Sequence, residues 1–248
     1  MQCYWAELDG NGTTTWADAA LDANGIAQAQ TANSFWASEL VSQKLQAPQS
    51  YYVSPLTRCL QTANITYGSL DLPAYYPFIP TVKEFFRESI SVHTCDRRSN
   101  RTYIHNTFPT FNIDPDLTEY DELWNGVTAE TSSAQDYRSK LVLDMVFSSD
   151  PATVISITTH SGETGSLLRV LGHQVFSLVT GAIIPILVKA ETLTATPSAT
   201  TTTMPWTTSA WCTNGPPLTS QTTGAELCVC SNSVSPVATS EAATVTGA

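Results

Sequence analysis

The chain has 248 residues, enough for one α/β domain with a sizeable core plus an appendage. Only 13% of them are charged, and 11 Lys and Arg against 22 Asp and Glu give a formal net charge of -11 and a pI near 4.6. That balance argues against nucleic acid and anionic membranes as partners, and no apolar run approaches the length of about 18 residues that spans a bilayer.

In chain order, residues 1–20 are polar, Gly- and Thr-rich and aperiodic, and predict a loop. They contain no readable signal peptide, which says nothing of a product that starts further upstream. Asp22 suits a helix N-cap, and Ile26, Ala29, Ala32, Trp36 and Leu40 then recur at spacings of three and four, predicting one buried helix face as far as about Lys44. Tyr51-Tyr52-Val53 predicts a strand. Ser54 suits the next N-cap and Pro55 the first helical position, so Arg58 falls about one turn into a helix running to Tyr67. Val82 to Phe86 predicts another strand. Residues 89–130 look irregular, and so long a loop in a compact domain suggests a lid over a site.

A helix over Ser133–Phe147 and a strand over Val154–Thr158 follow, then a helix opened by Ser161-Gly162-Glu163. Ala182–Val188 predicts a last strand, placed at an edge or bulge by Pro185. After Glu191 the composition turns to Thr, Ser, Ala and Pro, which cannot bury a core. The expected division is therefore a domain over 1–190 and a disordered tail over 191–248. Such tails are often O-glycosylated stalks, so an extracellular or cell-wall location is favoured over the cytoplasm. The six cysteines lack zinc-ligand spacing, and neither a metal nor a cofactor is expected. Sequons at Asn11, Asn64 and Asn100 are about as many as chance supplies in a Ser/Thr-rich chain and decide little.

Two strand-turn-helix junctions carry the chemistry. Ser54-Pro55-Leu56-Thr57-Arg58-Cys59-Leu60-Gln61-Thr62-Ala63 follows one strand and Thr159-His160-Ser161-Gly162-Glu163 the other. Open α/β sheets bind ligands at the carboxyl ends of their strands, and Arg58 near a helix N-terminus suits an anion. Phosphoryl transfer asks for such positive charge, an in-line nucleophile and an acid for the leaving group.

Together with Phe86-Arg87-Glu88, Cys95-Asp96-Arg97-Arg98-Ser99 and Leu168-Arg169-Val170-Leu171-Gly172-His173, these elements resemble the histidine phosphatase superfamily. The likeness is to its phosphoglycerate-mutase-like group, in detail the fungal members, over about residues 1–190. The resemblance implies a three-layer α/β/α sandwich with a mostly parallel central sheet, and a small phosphorylated substrate. It implies that Arg58 and His160 clamp the phosphoryl group, His160 as an imidazolium, with Ser161 beside them. Glu88 would be the general acid, with Glu84 as the other candidate. Arg87 would orient Glu88 or touch substrate, and Arg97, Arg98 and Arg101 would grip the distal part of the substrate.

The implied reaction is phosphate monoester hydrolysis through a phosphohistidine. A phosphoglycerate-mutase-like transferase and a catalytically silent binder of phosphorylated ligands are the alternatives. The family carries its nucleophile in an Arg-His-Gly motif at the end of its first strand, and no Arg-His pair occurs in this chain. That motif and its central strand are expected upstream of Met1. Cys95 to Arg101 also satisfies the cysteine-x5-arginine spacing of thiolate phosphatases, but it lacks the glycine that lets a loop cradle phosphate, and it sets Asp96 beside the substrate.

Overall fold

The computed structural model describes residues 6–176, 178–191 and 206–208. Asp22 caps α1 (Ala23–Ser42) as its sequence predicts, its side chain accepting from Gly25 N at 2.7 Å. The face expected of that helix is only partly buried, with Ala29 and Ala32 inside and Ile26 exposed. α1 packs along α2 (Thr57–Tyr67), which follows β1 (Ser50–Val53).

β1 lies between two parallel neighbours. On one side Ser50 to Val53 pair with Ile155 to Thr158 of β5 (Ile155–Thr158). On the other, Tyr52 and Val53 pair with β2 (Thr81–Val82), which pairs with β3 (Asn112–Ile113). The order is β3-β2-β1-β5, all parallel, so β5 is the outer strand on its side among the described residues. Strand period sends alternate residues to opposite faces. Val53 joins Leu60 and Ala63 of α2 with Ile104 and Phe108, whereas Tyr52 packs with Val142, Val146 and Leu167. Ile104 belongs to α3 (Arg101–Thr107), the Val142 group to α4 (Ser132–Ser149), and Leu167 to α5 (Ser161–Val170). Helices therefore cover both faces, and the α/β/α layering is as expected.

Several local expectations are corrected. Val82–Phe86 is not one strand: the chain leaves β2 after Val82 and turns through a 3-10 segment at Glu84–Phe86. The 89–130 stretch is far from irregular, holding a 3-10 turn at Thr94–Asp96, α3, β3 and β4 (Thr128–Glu130). Residues 182–188 form no strand. A strand exists only through its partner, Pro185 removes one donor, and none of the sheet's strands pairs with this stretch. Within the tail, β6 (Trp206–Thr208) pairs antiparallel with β4. The rest of the tail expectation lies outside the described residues. Among the described residues no helix is long and apolar enough to cross a membrane.

Candidate active site

Because β1 and β5 run parallel and in register, the residues that follow them emerge side by side. Ser54 N donates to Thr158 O at 3.0 Å, and Ser54 Oγ lies 2.9 Å from His160 Nε2. Ser54 is therefore not the N-cap of α2. That position falls to Leu56, which offers no side-chain cap. The cap is supplied from a distance: Asp18 Oδ1 accepts from Thr57 N at 2.8 Å and Oδ2 from Thr57 Oγ1 at 2.7 Å. Asp18 Oδ2 also accepts from Ser99 N at 2.9 Å, joining the N-terminal loop, α2 and the 93–99 segment. Its φ of 43° is one that aspartate tolerates better than most residues.

His160 is the N-cap of α5. Arg58 Nε donates to its Nδ1 at 3.3 Å, so the ring proton sits on Nε2 and faces Ser54 Oγ, with Cys59 Sγ 3.3 Å from the same nitrogen. Part of the residue's surface reaches solvent, yet the protein around the ring disfavours charge. Burial first, then the positive charges of Arg58, Arg138 and Arg87, hold its pKa well below the usual 6.5. That direction favours the neutral ring in the unliganded protein over the expected imidazolium. Arg58 keeps 23% of its side chain exposed. Its Nη1 donates to Cys95 O at 2.7 Å and its Nη2 lies 3.6 Å from Asp96 Oδ1.

Glu88 reaches the same corner. Its Oε2 accepts from Gly162 N at 3.2 Å, in the first turn of α5, and its Oε1 from Ser89 N at 2.8 Å. Gly162 is needed for this approach, since a Cβ there would collide with Glu88 Oε1. Ser161, exposed, is the helical residue between His160 and Gly162. Arg58, His160, Glu88 and Ser161 thus meet where two strands end and a helix begins, a place that favours anions.

Other expected residues turn away. Arg87 is fully buried, its guanidinium held by both carboxylate oxygens of Asp121 at 2.9 and 2.7 Å, by Glu84 at 2.8 Å, and by Asp96 O. Arg98 is equally enclosed, donating to Glu84, Ser99 O, Thr118 O and Tyr120 O. Both side chains are 0% exposed and their guanidiniums are committed mainly to carboxylates and carbonyls of the protein, although Arg87 Nε has no partner among the described residues, and this burial corrects their assignment to direct substrate binding. Glu84, accepting from Arg87 and Arg98, is likewise committed to structure. Arg97 has 37% of its side chain exposed, lies 5.1 Å over the Trp124 ring and pairs with Asp9 at 2.8 Å. Arg101 opens α3 and donates to Leu117 O at 3.3 Å.

The thiolate alternative fails on its own terms. Burial and Asp96 raise the Cys95 thiol, and burial pushes Cys59 up to about 12. Among the described residues no group of three or more His, Cys, Asp and Glu is gathered to hold a metal.

A second buried cluster was missed in the sequence. Arg138 of α4 binds both oxygens of Glu130, at 2.7 and 2.9 Å, and pairs with Glu163 at 2.9 Å. Glu163 also accepts from Ser139 Oγ at 2.7 Å and Gln135 Nε2 at 3.1 Å, and burial pushes its pKa up to about 7. One signal could have revealed it. Gln135, Arg138 and Ser139 fall at helical spacing on the same face as Val142 and Val146, and polar groups on an apolar face need buried partners.

The family model "Histidine phosphatase superfamily (branch 1)" matches residues 6–175. The chain is 50% identical over 194 residues to "Probable phosphoglycerate mutase" of Arthroderma benhamiae, covering 78% of this chain and 58% of that protein. It is 36% identical over 190 residues to "Phosphomutase-like protein 3" of Candida albicans, covering 76% and 58%. The chain thus spans under two thirds of the length of these curated relatives. Among solved structures it is similar to the ecdysone phosphate phosphatase of Bombix mori, with a TM-score of 0.45 and 17% identity over 84% of this chain and 77% of that one.

Proposed function

Because the chain belongs to the histidine phosphatase superfamily, we propose that its full-length product hydrolyses small phosphate monoesters through a phosphohistidine intermediate. The observation that carries this reading is the convergence of Arg58, His160 and Glu88 at the ends of β1 and β5 and the start of α5. Arg58 exchanges Cys95 O for phosphoryl oxygens, and neutral His160 donates Nε2–H to one of them in place of Ser54. Both contacts strengthen as charge builds on the equatorial oxygens. Histidine nitrogen attacks phosphorus, the ester P–O bond breaks, and Glu88 gives its proton to the departing oxygen. Water then cleaves the P–N bond. The nucleophile is the histidine of the family's Arg-His-Gly motif, a role none of the four histidines here fills. Residues 1–190 belong to the catalytic domain in this reading, with 191–248 as a tail.

The names of the two relatives favour a second reading, in which the same site passes the phosphoryl group to another hydroxyl. The experiment follows a phosphate monoester by 31P NMR with the full-length product and traps acid-labile phosphoenzyme. Inorganic phosphate with a phosphohistidine supports hydrolysis, and an isomeric ester supports the mutase. Absence of any phosphoenzyme rejects both.

A further inference from the structure

We propose that Arg138 is a positioning residue, which sets the Glu88 carboxylate against the Gly162 amide beside His160 by gripping the backbone on which Glu88 stands. Its side chain is 0% exposed, and every one of its five N–H groups is engaged. Nε and one Nη2 proton take the two oxygens of Glu130. Nη1 donates to Phe85 O at 2.8 Å and Arg87 O at 2.9 Å, and Nη2 to Glu88 O at 3.0 Å.

A buried arginine needs its charge balanced, and the equally buried Glu130 carboxylate does that. Charge balance does not require three carbonyls from one four-residue stretch. Those bonds fix the chain from 85 to 88, and Glu130 continues the grip through Ile90, accepting from Ile90 N at 3.2 Å and donating its own N–H to Ile90 O at 2.7 Å. Glu88 lies inside this fastened stretch. On its other side Arg138 holds Glu163, which Ser139 and Gln135 also hold, so the first turn of α5 is tied to α4 as well. One guanidinium therefore joins the backbone of Glu88 to the helix whose amide Glu88 meets. Lysine offers three donors from a single atom and cannot reproduce a planar fork that meets carbonyls and a carboxylate together.

The placement of Glu88 stands on geometry alone, whereas its consequence for turnover rests on the proposed role of Glu88 as proton donor. The two are tested separately. In Arg138→Lys the Gly162 backbone amide resonance should move to where Glu88→Ala puts it, and the amide should exchange with solvent about tenfold faster. Lys140→Ala, at an exposed position of α4, should leave it unmoved. A folded Arg138→Lys protein with the parent Gly162 amide overturns the proposal. If Arg138→Lys does not fold, Glu130→Gln serves, with a smaller displacement in the same direction expected; none overturns the proposal. For turnover by the full-length product, Arg138→Lys should lose on the order of tenfold more activity on alkyl than on activated aryl phosphates. A shifted amide without that difference upholds the positioning and rejects Glu88 as the acid.

Discussion

At the scale of single residues, the site is an arginine and a neutral histidine that face each other across a hydrogen bond. Arg58→Ala should reduce turnover of the full-length product by roughly a hundredfold or more, since it removes a preorganised charge from the transition state. Glu88→Gln should instead hurt poor leaving groups far more than an activated aryl ester, whose oxygen departs without a proton. A uniform loss across leaving groups would remove Glu88 from the acid role. Two buried groups also set an acid response that can be signed. His160 takes up a proton near 6.5 when unfolded but only at much lower pH when folded, so its contribution to stability is present above 6.5 and lost as pH falls. Glu163 behaves oppositely, releasing its proton near 4.5 unfolded and about 7 folded, so its contribution is complete below 4.5 and lost as pH rises through 7. Each slope is at most about 1.4 kcal/mol per pH unit, and the two oppose each other between pH 4.5 and 6.5. Urea unfolding from about pH 5.5 to 6.5 should therefore depend on pH less steeply for the parent than for either single variant. Glu163→Gln should lose stability toward acid, and His160→Gln toward neutral pH.

At the scale of elements, α5 contains two glycines with different reasons to be there. A Cβ on Gly162 would collide with Glu88, whereas on Gly165 it would meet Arg169 and Val175 at 3.6 and 3.7 Å, an ordinary contact. Gly165→Ala should stabilise the protein by up to about 1 kcal/mol through helix propensity. Gly162→Ala should instead displace the flexible end of the Glu88 side chain, and so should reproduce the leaving-group signature of Glu88→Gln. Thermal melts and paired ester assays check both. Helices α1, α2, α4 and α5 and the two junctions were legible because period, caps and motif spacing are local properties. Asp22 caps α1, and β1 and β5 end where their motifs begin. What stayed hidden depends on distant chain. Ser54 has the chemistry of a cap, but a histidine 106 residues away takes its hydroxyl. Arg87 and Arg98 look like free cations until Asp121 and Glu84 are brought to them. Nothing local distinguishes a guanidinium that grips a ligand from one that grips backbone.

At the scale of the whole molecule, both faces of the sheet are packed while, among the described residues, its β5 margin carries no further strand. β5 has β1 on one side and no strand on the other among the described residues. Near it in sequence, Val179 and Leu187 are largely exposed and the 182–188 stretch lies unpaired. A row of backbone donors and acceptors without partners is a template, because any extended segment that docks there satisfies several peptide groups at once. The colloidal behaviour of the protein follows from this. With a net charge of -11, like-charge repulsion should keep molecules apart in dilute salt, and screening it should let margins meet. Sedimentation velocity is expected to show a single slow species at low ionic strength and faster, concentration-dependent species as salt is raised. A sedimentation profile indifferent to salt and concentration would mean that the margin is covered.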